Sequence, residues 1–359
     1  DETKPDAIGL SALLVSTSKQ MKFFVEYARK NNMTVPILCG GAAINTNYIN
    51  RISKEDGIYE PGVFYCNTMF EGLKTMDVLV SDKKLKLLAD WKEKLENWKE
   101  KSTAVVDPDT LPKSDIKPVQ SSTPKVIGEP IRLKLDQINM AEVWTMIDKK
   151  SLFKLSWGLR GKVGSESEEE HEQLLTEWKM RIIRDKLFEP EIVYGYFKCH
   201  NKDRKLLVEN PHGNDVELEF PRSTKPDHLC LTDYFGDDDI VAFQSVTVGN
   251  KVADIIEQWN KEDKYTDAYY LHGLAVEVAE SLAEWVNQRI KTELNLEKGG
   301  LRYSWGFPSC PDVSQHHLVW KLLEPEKSGM TLTESGQIIP EQSTAAIVIH
   351  HPNAKYFVL

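Results

Sequence analysis

The chain has 359 residues, which suggests more than one domain. Hydrophobic residues make up 41% and charged residues 28%, a balance that allows buried cores in a soluble protein. The net charge of -10 argues against a nucleic-acid partner, because binding to phosphates depends on clustered Lys and Arg. No apolar run approaches the ~18 residues of a membrane helix, and no signal-peptide pattern occurs. We therefore expect a cytoplasmic protein with no membrane partner.

The first 101 residues predict a parallel α/β sheet. Strands and helices alternate, and this rhythm is typical of a doubly wound parallel sheet, in which ligands bind at the carboxyl ends of the strands. Gly40 and Gly41 follow a strand and would let a ligand approach the backbone, although a turn requirement is the commoner reason for such a pair. The predicted elements are a buried strand within 7–15, a helix at 16–30, strands at 35–39 and 62–66, and a helix from Thr68.

Two segments of different character follow this sheet. Residues 81–101 predict an amphipathic helix, because Leu85, Leu88, Trp91 and Leu95 recur at three- and four-residue steps. Residues 102–130 contain five prolines and few large apolar side chains, which indicates a flexible interdomain linker. We therefore predict domains at 1–101 and 131–359, joined by a linker at 102–130.

From residue 131 the pattern predicts an α+β domain with antiparallel strands and long helices. The helices and the strands come in separate runs rather than in alternation. The predicted helices are 135–147, 166–186, 252–295 and 312–323, and the predicted strands are 191–199, 205–208, 240–248, 345–350 and 355–359.

The segment 299–311 is the most unusual stretch of the chain. It contains three glycines and two prolines, which predict an irregular loop, together with three aromatic residues and Arg302. Such a loop suits a small zwitterion whose carboxylate pairs with the guanidinium; a packed connecting loop with Arg302 in a surface salt bridge is an equal alternative. Asp148 at a helix end could accept an ammonium group or be an ordinary turn residue. For Glu277, Glu280 and Glu284 we favour a polar helix face in two of the three positions.

No pattern predicts a metal site or a catalytic nucleophile. The five cysteines are far apart and never in C-x-x-C spacing, which argues against a disulfide framework and a zinc ribbon. His350 and His351 are adjacent, and adjacent residues of a strand point to opposite faces, so they should not share a metal. No H-E-x-x-H, Walker loop or Ser/His/Asp signature stands out.

Three stretches resemble the activation domain of the cobalamin-dependent methionine synthase family. They are GGLRYSWGFPSCPD (299–312), HGLAVEVAESLAEW (272–285) and HHPNAKYF (350–357), in the family's order and at plausible spacing. The segment KPDHLCLTDYFG (225–236) also resembles a family strand, and the resemblance covers roughly residues 130–359. It implies a methyltransferase of methionine biosynthesis that transfers methyl groups from 5-methyltetrahydrofolate to homocysteine.

The family pattern implies an S-adenosylmethionine site in this domain. It assigns Asp148 to the amino group, Arg302 to the carboxylate, and the backbone around Tyr303 to the adenine side. Glu280 matches the helix Glu of the family and Phe307 stands where the family has a loop Tyr, while Val348 and Ile349 would contact the ligand mainly through backbone.

The first part of the chain resembles the later strands of the Rossmann-like cobalamin domain of the same enzymes. The stretches are DAIGLSALLVSTSKQM, VPILCGGAA and GVFYCNTMFEGL. The resemblance implies that the corrinoid tail lies along Ser11, Val15, Gly40, Gly41 and Thr68, with Val15 where the family commonly has Thr. The cobalt-ligating D-x-H-x-x-G motif is absent, and no histidine precedes His171. We therefore interpret the chain as a fragment or a truncated relative that does not ligate cobalt in the family's way.

The function implied by the resemblance is reductive methylation of inactive cob(II)alamin. A flavodoxin- or reductase-type protein would supply the electron, and the remaining modules of the enzyme would be further partners. Because the methyl group of a sulfonium is already electrophilic, the protein would position the reactants rather than act as an acid or base. One alternative is a non-catalytic S-adenosylmethionine-binding module that acts in trans with a corrinoid protein, and another is a corrinoid protein for a different methyl donor.

Overall fold

A computed structural model describes residues 5–12, 15–41, 44–55, 57–99, 111–159 and 166–359. The chain divides into two compact units. The first unit is Asp1–Thr110 together with Gly306–Pro311, and the second is Leu111–Trp305 together with Asp312–Leu359. None of the helices in these described ranges is long and apolar enough to cross a membrane.

The first unit contains a parallel sheet with the strand order β1-β2-β3. The sheet is parallel, as the alternation of elements predicts. Its strand order follows the chain order, so the described strands include no reversal of the kind that defines a doubly wound sheet. The elements are β1 (Ile8–Ser11), α1 (Val15–Lys30), β2 (Ile37–Gly40), α2 (Thr46–Lys54), β3 (Val63–Tyr65), α3 (Met69–Leu79) and α4 (Lys84–Asn97).

Burial and helix capping account for three of these elements, β1, β2 and α3. Ile37, Leu38 and Cys39 of β2 are all buried, as expected for a central strand covered on both faces. The strand predicted within 7–15 is shorter than expected, because β1 ends at Ser11, and only alternate residues of it are partly buried. Residues 13–14 lie outside the described ranges. Thr68 is the N-cap of α3, because its hydroxyl accepts a hydrogen bond from the amide of Glu71 at 3.2 Å.

The second unit is built on an antiparallel sheet, which confirms the predicted α+β class. The described strands have the order β7-β6-β5-β8-β12-β9, and β4 also pairs with β5. The strands are β4 (Ile131–Leu133), β5 (Glu191–Lys202), β6 (Lys205–Val208), β7 (Val216–Glu219), β8 (Asp239–Thr247), β9 (Leu301–Ser304) and β12 (Ser343–Ile349), with a separate hairpin of β10 (Thr331–Leu332) and β11 (Ile338–Ile339).

One long helix, α9, covers the sheet where β8 and β12 lie side by side. Leu274, Val278 and Leu282 on its inner face are fully buried in the main core, and each such side chain stabilises the fold by about 2 kcal/mol through burial. The helices of this unit are α5 (Met140–Thr145), α6 (Lys149–Ser151), α7 (Glu166–Asp185), α8 (Asn250–Lys261), α9 (Tyr265–Glu293) and α10 (His316–Leu323), and a π-helical turn (Leu152–Ser156) follows α6.

Several predicted elements differ from the structure. The single helix predicted over 252–295 is two helices, because Asp263 adopts a left-handed conformation with φ of 59° that ends α8. The segment 299–311 is not wholly irregular, since it contains β9. The helices predicted at 135–147 and 312–323 each begin with a 3-10 turn, so the α-helical parts are shorter. The strand predicted at 355–359 is wrong: this tail has no regular structure and is held by side chains, including Tyr303, whose hydroxyl donates to the carbonyl of Lys355 at 2.8 Å.

The second half of the predicted linker lies against the second unit. Residues 102–110 are outside the described ranges, and residues 111–130, called the strap below, contain no regular secondary structure. Ser114 Oγ donates to Asp233 Oδ2 at 2.8 Å, the amide of Ser121 donates to Asp239 Oδ1 at 3.0 Å, and the amide of Gly128 donates to the carbonyl of Tyr196 at 2.7 Å. The strap is therefore bound along its length rather than free, while the domain boundaries at 101 and 131 stay predictions.

Candidate functional site

Arg302 lies on β9, opposite Val348 of β12, and its side chain is mostly buried with 16% exposed. Its Nη2 donates to Glu280 Oε2 at 2.6 Å, and its Nε lies 3.6 Å from Glu284 Oε2. Burial acts to lower the pKa of the Arg302 guanidinium, but the two carboxylates outweigh it and hold that pKa above its usual range. Arg302 is thus a fixed cation that one face of α9 neutralises.

The three glutamates of α9 occupy one face of the helix. Glu280 and Glu284 are the partners of Arg302 on a partly exposed polar face of the helix. Glu277, one turn earlier, accepts a hydrogen bond from Ser156 Oγ at 3.2 Å. Burial raises the pKa of the Glu277 carboxyl, and the negative charges of Asp148 and Glu280 raise it further. This face of α9 therefore carries a concentrated negative potential next to one cation.

Asp148 lies beside this face and caps α6. Its Oδ1 accepts hydrogen bonds from the amides of Lys150 and Ser151 at 3.0 and 3.1 Å, and its Oδ2 accepts one from Ser151 Oγ at 2.8 Å. These bonds, first of all the one from the Ser151 hydroxyl, lower the pKa of Asp148, so the carboxylate is charged at neutral pH. Its negative charge raises the pKa of Glu277, so the two carboxylates interact electrostatically.

Tyr356 lies next to Arg302 and is a further candidate that the sequence motifs did not single out. Its ring packs against that of Tyr303 with 5.1 Å between centroids, and its hydroxyl donates to the carbonyl of Arg302 at 3.1 Å. The side chain is nevertheless 62% exposed, so a planar ligand group can reach it. The signal was present in the stretch HHPNAKYF, whose tyrosine this is. Asp148, Glu277, Glu280, Arg302 and Tyr356 are called the Arg302 site below.

Three further residues predicted to contact the ligand have buried side chains. The side chains of Tyr303, Val348 and Ile349 are fully or almost fully buried in the protein, so only their main-chain groups could meet a ligand. Phe307 belongs to Gly306–Pro311, the segment that groups with the first unit, and its ring is half exposed.

The predicted cobalamin contacts in the first unit lie at the carboxyl ends of the parallel strands. Ser11 is in register with Gly40, and the amide of Ala12 donates to the carbonyl of Gly40 at 3.0 Å. Gly41 has φ of 109°, and a Cβ at this position would collide with the carbonyl oxygen of Ala12, so the backbone itself requires glycine here. Thr68 is exposed at the N-cap of α3, whereas the side chain of Val15 lies outside what the structure describes.

Among the described residues, the cysteines and metal-ligating side chains form no further site. None of the five cysteines, all of which the structure describes, forms a disulfide, and all are buried; burial raises the pKa of Cys39 and of Cys310 to about 12, so these thiols are protonated. In the part of the chain that the structure describes, no three His, Cys, Asp or Glu side chains are grouped to hold a metal ion.

Residues 139–359 match the family model described as the activation domain of vitamin B12 dependent methionine synthase. The chain belongs to this activation-domain family. It is 29% identical to the methionine synthase of Mycobacterium tuberculosis in an alignment 419 positions long and 29% identical to that of Mycobacterium leprae in one 422 positions long. Each alignment covers 99% of this chain and 35% of the relative, so the chain spans about a third of the length of the relatives that it matches.

The fold of the chain is similar to that of a solved structure. A crystal structure of the MetH reactivation domain bound to AdoHcy matches with a TM-score of 0.57 at 19% sequence identity. The match covers 67% of this chain and 83% of that chain. It supports the α+β architecture described above.

Proposed function

We propose that this chain binds S-adenosylmethionine at the Arg302 site and serves the reductive methylation of inactive cob(II)alamin in a methionine synthase. The observation that carries the proposal is the mostly buried guanidinium of Arg302, which pairs with Glu280 on the acidic face of α9, while the carbonyl of the same residue binds the hydroxyl of the exposed Tyr356. This arrangement lies within the residues that match the activation-domain model. The structural neighbour binds AdoHcy, which differs from the proposed ligand by one methyl group.

The ion pair between Arg302 and Glu280 explains why a zwitterion suits this site. The carboxylate of an amino acid replaces Glu280 on the guanidinium, where it can form two parallel hydrogen bonds. Glu280 is then free to accept the ammonium group, together with Asp148. Both protein charges keep a partner, so breaking the pair leaves no buried charge uncompensated. An adenosyl ligand without the amino-acid group offers no such exchange and should bind more weakly.

The protein groups of this site bind and orient rather than react. When bound, S-adenosylmethionine supplies an electrophilic methyl group on its sulfonium. Arg302, Asp148 and Glu280 fix the amino-acid end, and the acidic face of α9 favours the positive sulfonium. The main chain at Tyr303, Val348 and Ile349 and the ring of Tyr356 are proposed to hold the rest of the ligand, while a contact with Phe307 stays a prediction. The contribution of these residues is orientation of the methyl group.

We propose that the first unit is part of a doubly wound cobalamin domain. The strand ends at Ser11 and Gly40 are adjacent, and Thr68 follows β3 in the sequence. These residues fit one wall of a crevice for the corrinoid tail. Val15 and Gly41 complete the proposed contacts. The first 170 residues contain no histidine, so they offer no imidazole to cobalt. Mixing the chain with cobalamin should therefore leave the visible spectrum without the change expected when a protein histidine ligates cobalt.

The proposed partners are a flavodoxin- or reductase-type electron donor and the remaining modules of methionine synthase. We also propose a cytoplasmic location, which the lack of any disulfide among the five described cysteines favours, because disulfides are typical of oxidising compartments.

Titration calorimetry with S-adenosylmethionine tests the proposal. The parent chain should bind, and Arg302→Ala should weaken binding by about 30-fold or more, because a charge-assisted bidentate contact contributes roughly 2 kcal/mol or more. Arg184→Ala is the matched control, since Arg184 is an exposed arginine paired with its neighbour Asp185. Absence of binding by the parent chain would contradict the activation-domain function and favour a corrinoid protein for another methyl donor.

A further inference from the structure

The adjacent histidines at the end of β12 both contact the strap. His350 Nε2 lies 2.6 Å from the carbonyl oxygen of Val119, and His351 Nε2 lies 3.0 Å from the carbonyl oxygen of Lys117. Both side chains are buried. The expectation that they point to opposite faces of a strand is wrong, because β12 ends at Ile349 and the two residues follow it in irregular backbone.

A buried carboxylate strengthens this attachment. Asp239 Oδ1 accepts the amide of Ser121 at 3.0 Å, and Asp239 Oδ2 lies 3.5 Å from His350 Nε2. Burial acts to raise the pKa of Asp239, but His350 and the backbone donors lower it below its ordinary value, so the group is a carboxylate. Hydrogen bonds to a buried charged acceptor are stronger than those between neutral groups. The strap is thus anchored at one point by Ser121, Asp239 and the two histidines.

The same two histidines contact the segment that carries Arg302. Gly299 has φ of 83°, and a Cβ at this position would collide with the carbonyl oxygen of His351 and lie 2.7 Å from that of His350. The backbones are therefore in direct contact three residues before Arg302, and glycine is required because no side chain fits.

His351 also forms the turn that leads to Tyr356. Its carbonyl oxygen accepts the amide of Ala354 at 3.0 Å, and its Nδ1 accepts the amide of Asn353 at 3.1 Å. With Nδ1 as the acceptor, Nε2 carries the proton that is donated to Lys117. One imidazole thus bridges the strap and the turn. Two residues after Ala354, Tyr356 packs on Tyr303 and binds the Arg302 carbonyl.

We infer that His350 and His351 are positioning residues of the Arg302 site, and that they make its geometry depend on attachment of the strap. When the strap is bound, the histidines hold the backbone at Gly299 and the turn before Tyr356. When the strap detaches, the backbone at Gly299 and the turn before Tyr356 both become more mobile. Because such coupling is reciprocal, a ligand that binds only the ordered site also increases the fraction of molecules in which the strap is attached. The identity of that ligand rests on the proposed function, whereas the coupling itself does not.

A pair of variants at one position tests the coupling. Ser121→Pro removes the amide that donates to Asp239, whereas Ser121→Ala keeps it and loses only a hydroxyl that bonds locally to the carbonyl of Ser122. Without ligand, Ser121→Pro should raise hydrogen exchange at the amides of Asn353 and Ala354 by about tenfold, while Ser121→Ala leaves it unchanged. Ser121→Pro should also weaken S-adenosylmethionine binding by about fivefold or more in calorimetry.

Faster hydrogen exchange in the buried strand β8 would show that Ser121→Pro disturbs the whole fold. In that case a second pair of variants, at His350, tests the coupling. His350→Gln keeps a side-chain donor that can reach Val119, and His350→Leu does not. The glutamine variant should retain more of the parent's protection at Ala354 than the leucine variant. Equal exchange at Asn353 and Ala354 in all variants and the parent would overturn the coupling. If the parent fails to bind S-adenosylmethionine, the proposed function falls, and the exchange data still decide whether strap and turn are coupled.

Discussion

At the scale of single residues, Asp148 has two roles that can be separated. It caps α6 through hydrogen bonds from Lys150 and Ser151, and it is proposed to receive the ammonium group of the ligand. Because Asn and Asp are equally good N-caps, Asp148→Asn should change the free energy of unfolding by no more than about 0.5 kcal/mol. The same variant removes the charge, so it should weaken S-adenosylmethionine binding by about tenfold, or ~1.4 kcal/mol.

Urea unfolding and calorimetry on the same preparation measure these two effects. Asp185→Asn is a control, since Asp185 is an acidic residue paired with Arg184 on α7 and should affect neither quantity strongly. Equal ligand affinity of parent and Asp148→Asn would limit Asp148 to its capping role.

Arg302 and Asp148 stay predicted ligand contacts that the sequence could suggest, whereas it did not single out Tyr356. Arg302 and Asp148 carry charge in unusual local settings, and their residue types alone suggest the ligand groups that they can bind. The position of Tyr356 depends on the tail packing beside β9, a contact between residues 54 apart in the chain. Local sequence carries no signal for such a contact, so only the family resemblance of its stretch pointed to it.

At the scale of elements, α10 begins with a histidine that should make stability depend on pH. His316 is buried between the rings of Trp305 and Trp320, and burial lowers the pKa of its imidazole from 6.5 to about 4. The folded state therefore takes up the proton less readily than the unfolded state. The stabilisation is complete above pH 6.5 and is lost as the pH falls from 6.5 towards 4, by roughly 3 kcal/mol.

Urea unfolding of the second unit between pH 7.5 and 4 measures this loss. His316→Gln has no titrating ring, so its unfolding free energy should fall less over the same interval. A decline as steep as the parent's would assign the pH dependence to other groups.

Two glycines of the second unit give a matched test of backbone crowding. Gly299 and Gly158 both have positive φ, but a Cβ at Gly299 would collide with the His351 carbonyl, whereas a Cβ at Gly158 would lie 3.5 Å from Tyr269 Oη. Gly158→Ala should cost about 1 kcal/mol of unfolding free energy from conformational strain alone. Gly299→Ala should cost more than about 3 kcal/mol, because backbone must also move. Thermal unfolding of the two variants measures the difference, and similar losses would contradict the close approach.

Longer elements were predicted well, whereas several short strands were missed. The helix predicted at 166–186 is Glu166–Asp185, and the strand predicted at 191–199 lies within β5, Glu191–Lys202. β4 and β9 were missed because three or four residues are too few to show an alternation of period two. The break between α8 and α9 was missed because it depends on a left-handed Asp263, a conformation that aspartate adopts only in some contexts.

At the scale of the whole molecule, the strap changes where a stable fragment of the second unit should begin. The composition of 102–130 predicted a linker, and its described part, residues 111–130, has no regular structure; prolines and polar residues do not reveal that this backbone is hydrogen-bonded to another segment. A fragment of residues 111–359 should therefore be more stable than one of residues 131–359, which lacks the contacts of Ser114, Ser121 and Gly128.

The expected difference in melting temperature is about 5 °C or more, since each kcal/mol shifts a unit of this size by roughly 2–4 °C. Differential scanning calorimetry of the two fragments measures it. Identical melting temperatures would show that the strap contributes no net stability.

The acidic face of α9 also limits how proteins with this site can vary in length. Glu277, Glu280 and Glu284 face Arg302 or its surroundings, while Leu274, Val278 and Leu282 of the same helix fill the core. Inserting one residue rotates everything beyond it by about 100° about the helix axis, which would turn the carboxylates away from the cation or the leucines away from the sheet. Relatives that keep this site should therefore place their insertions and deletions at the turn between α8 and α9 and leave the helical stretch from Leu274 to Glu284 constant in length.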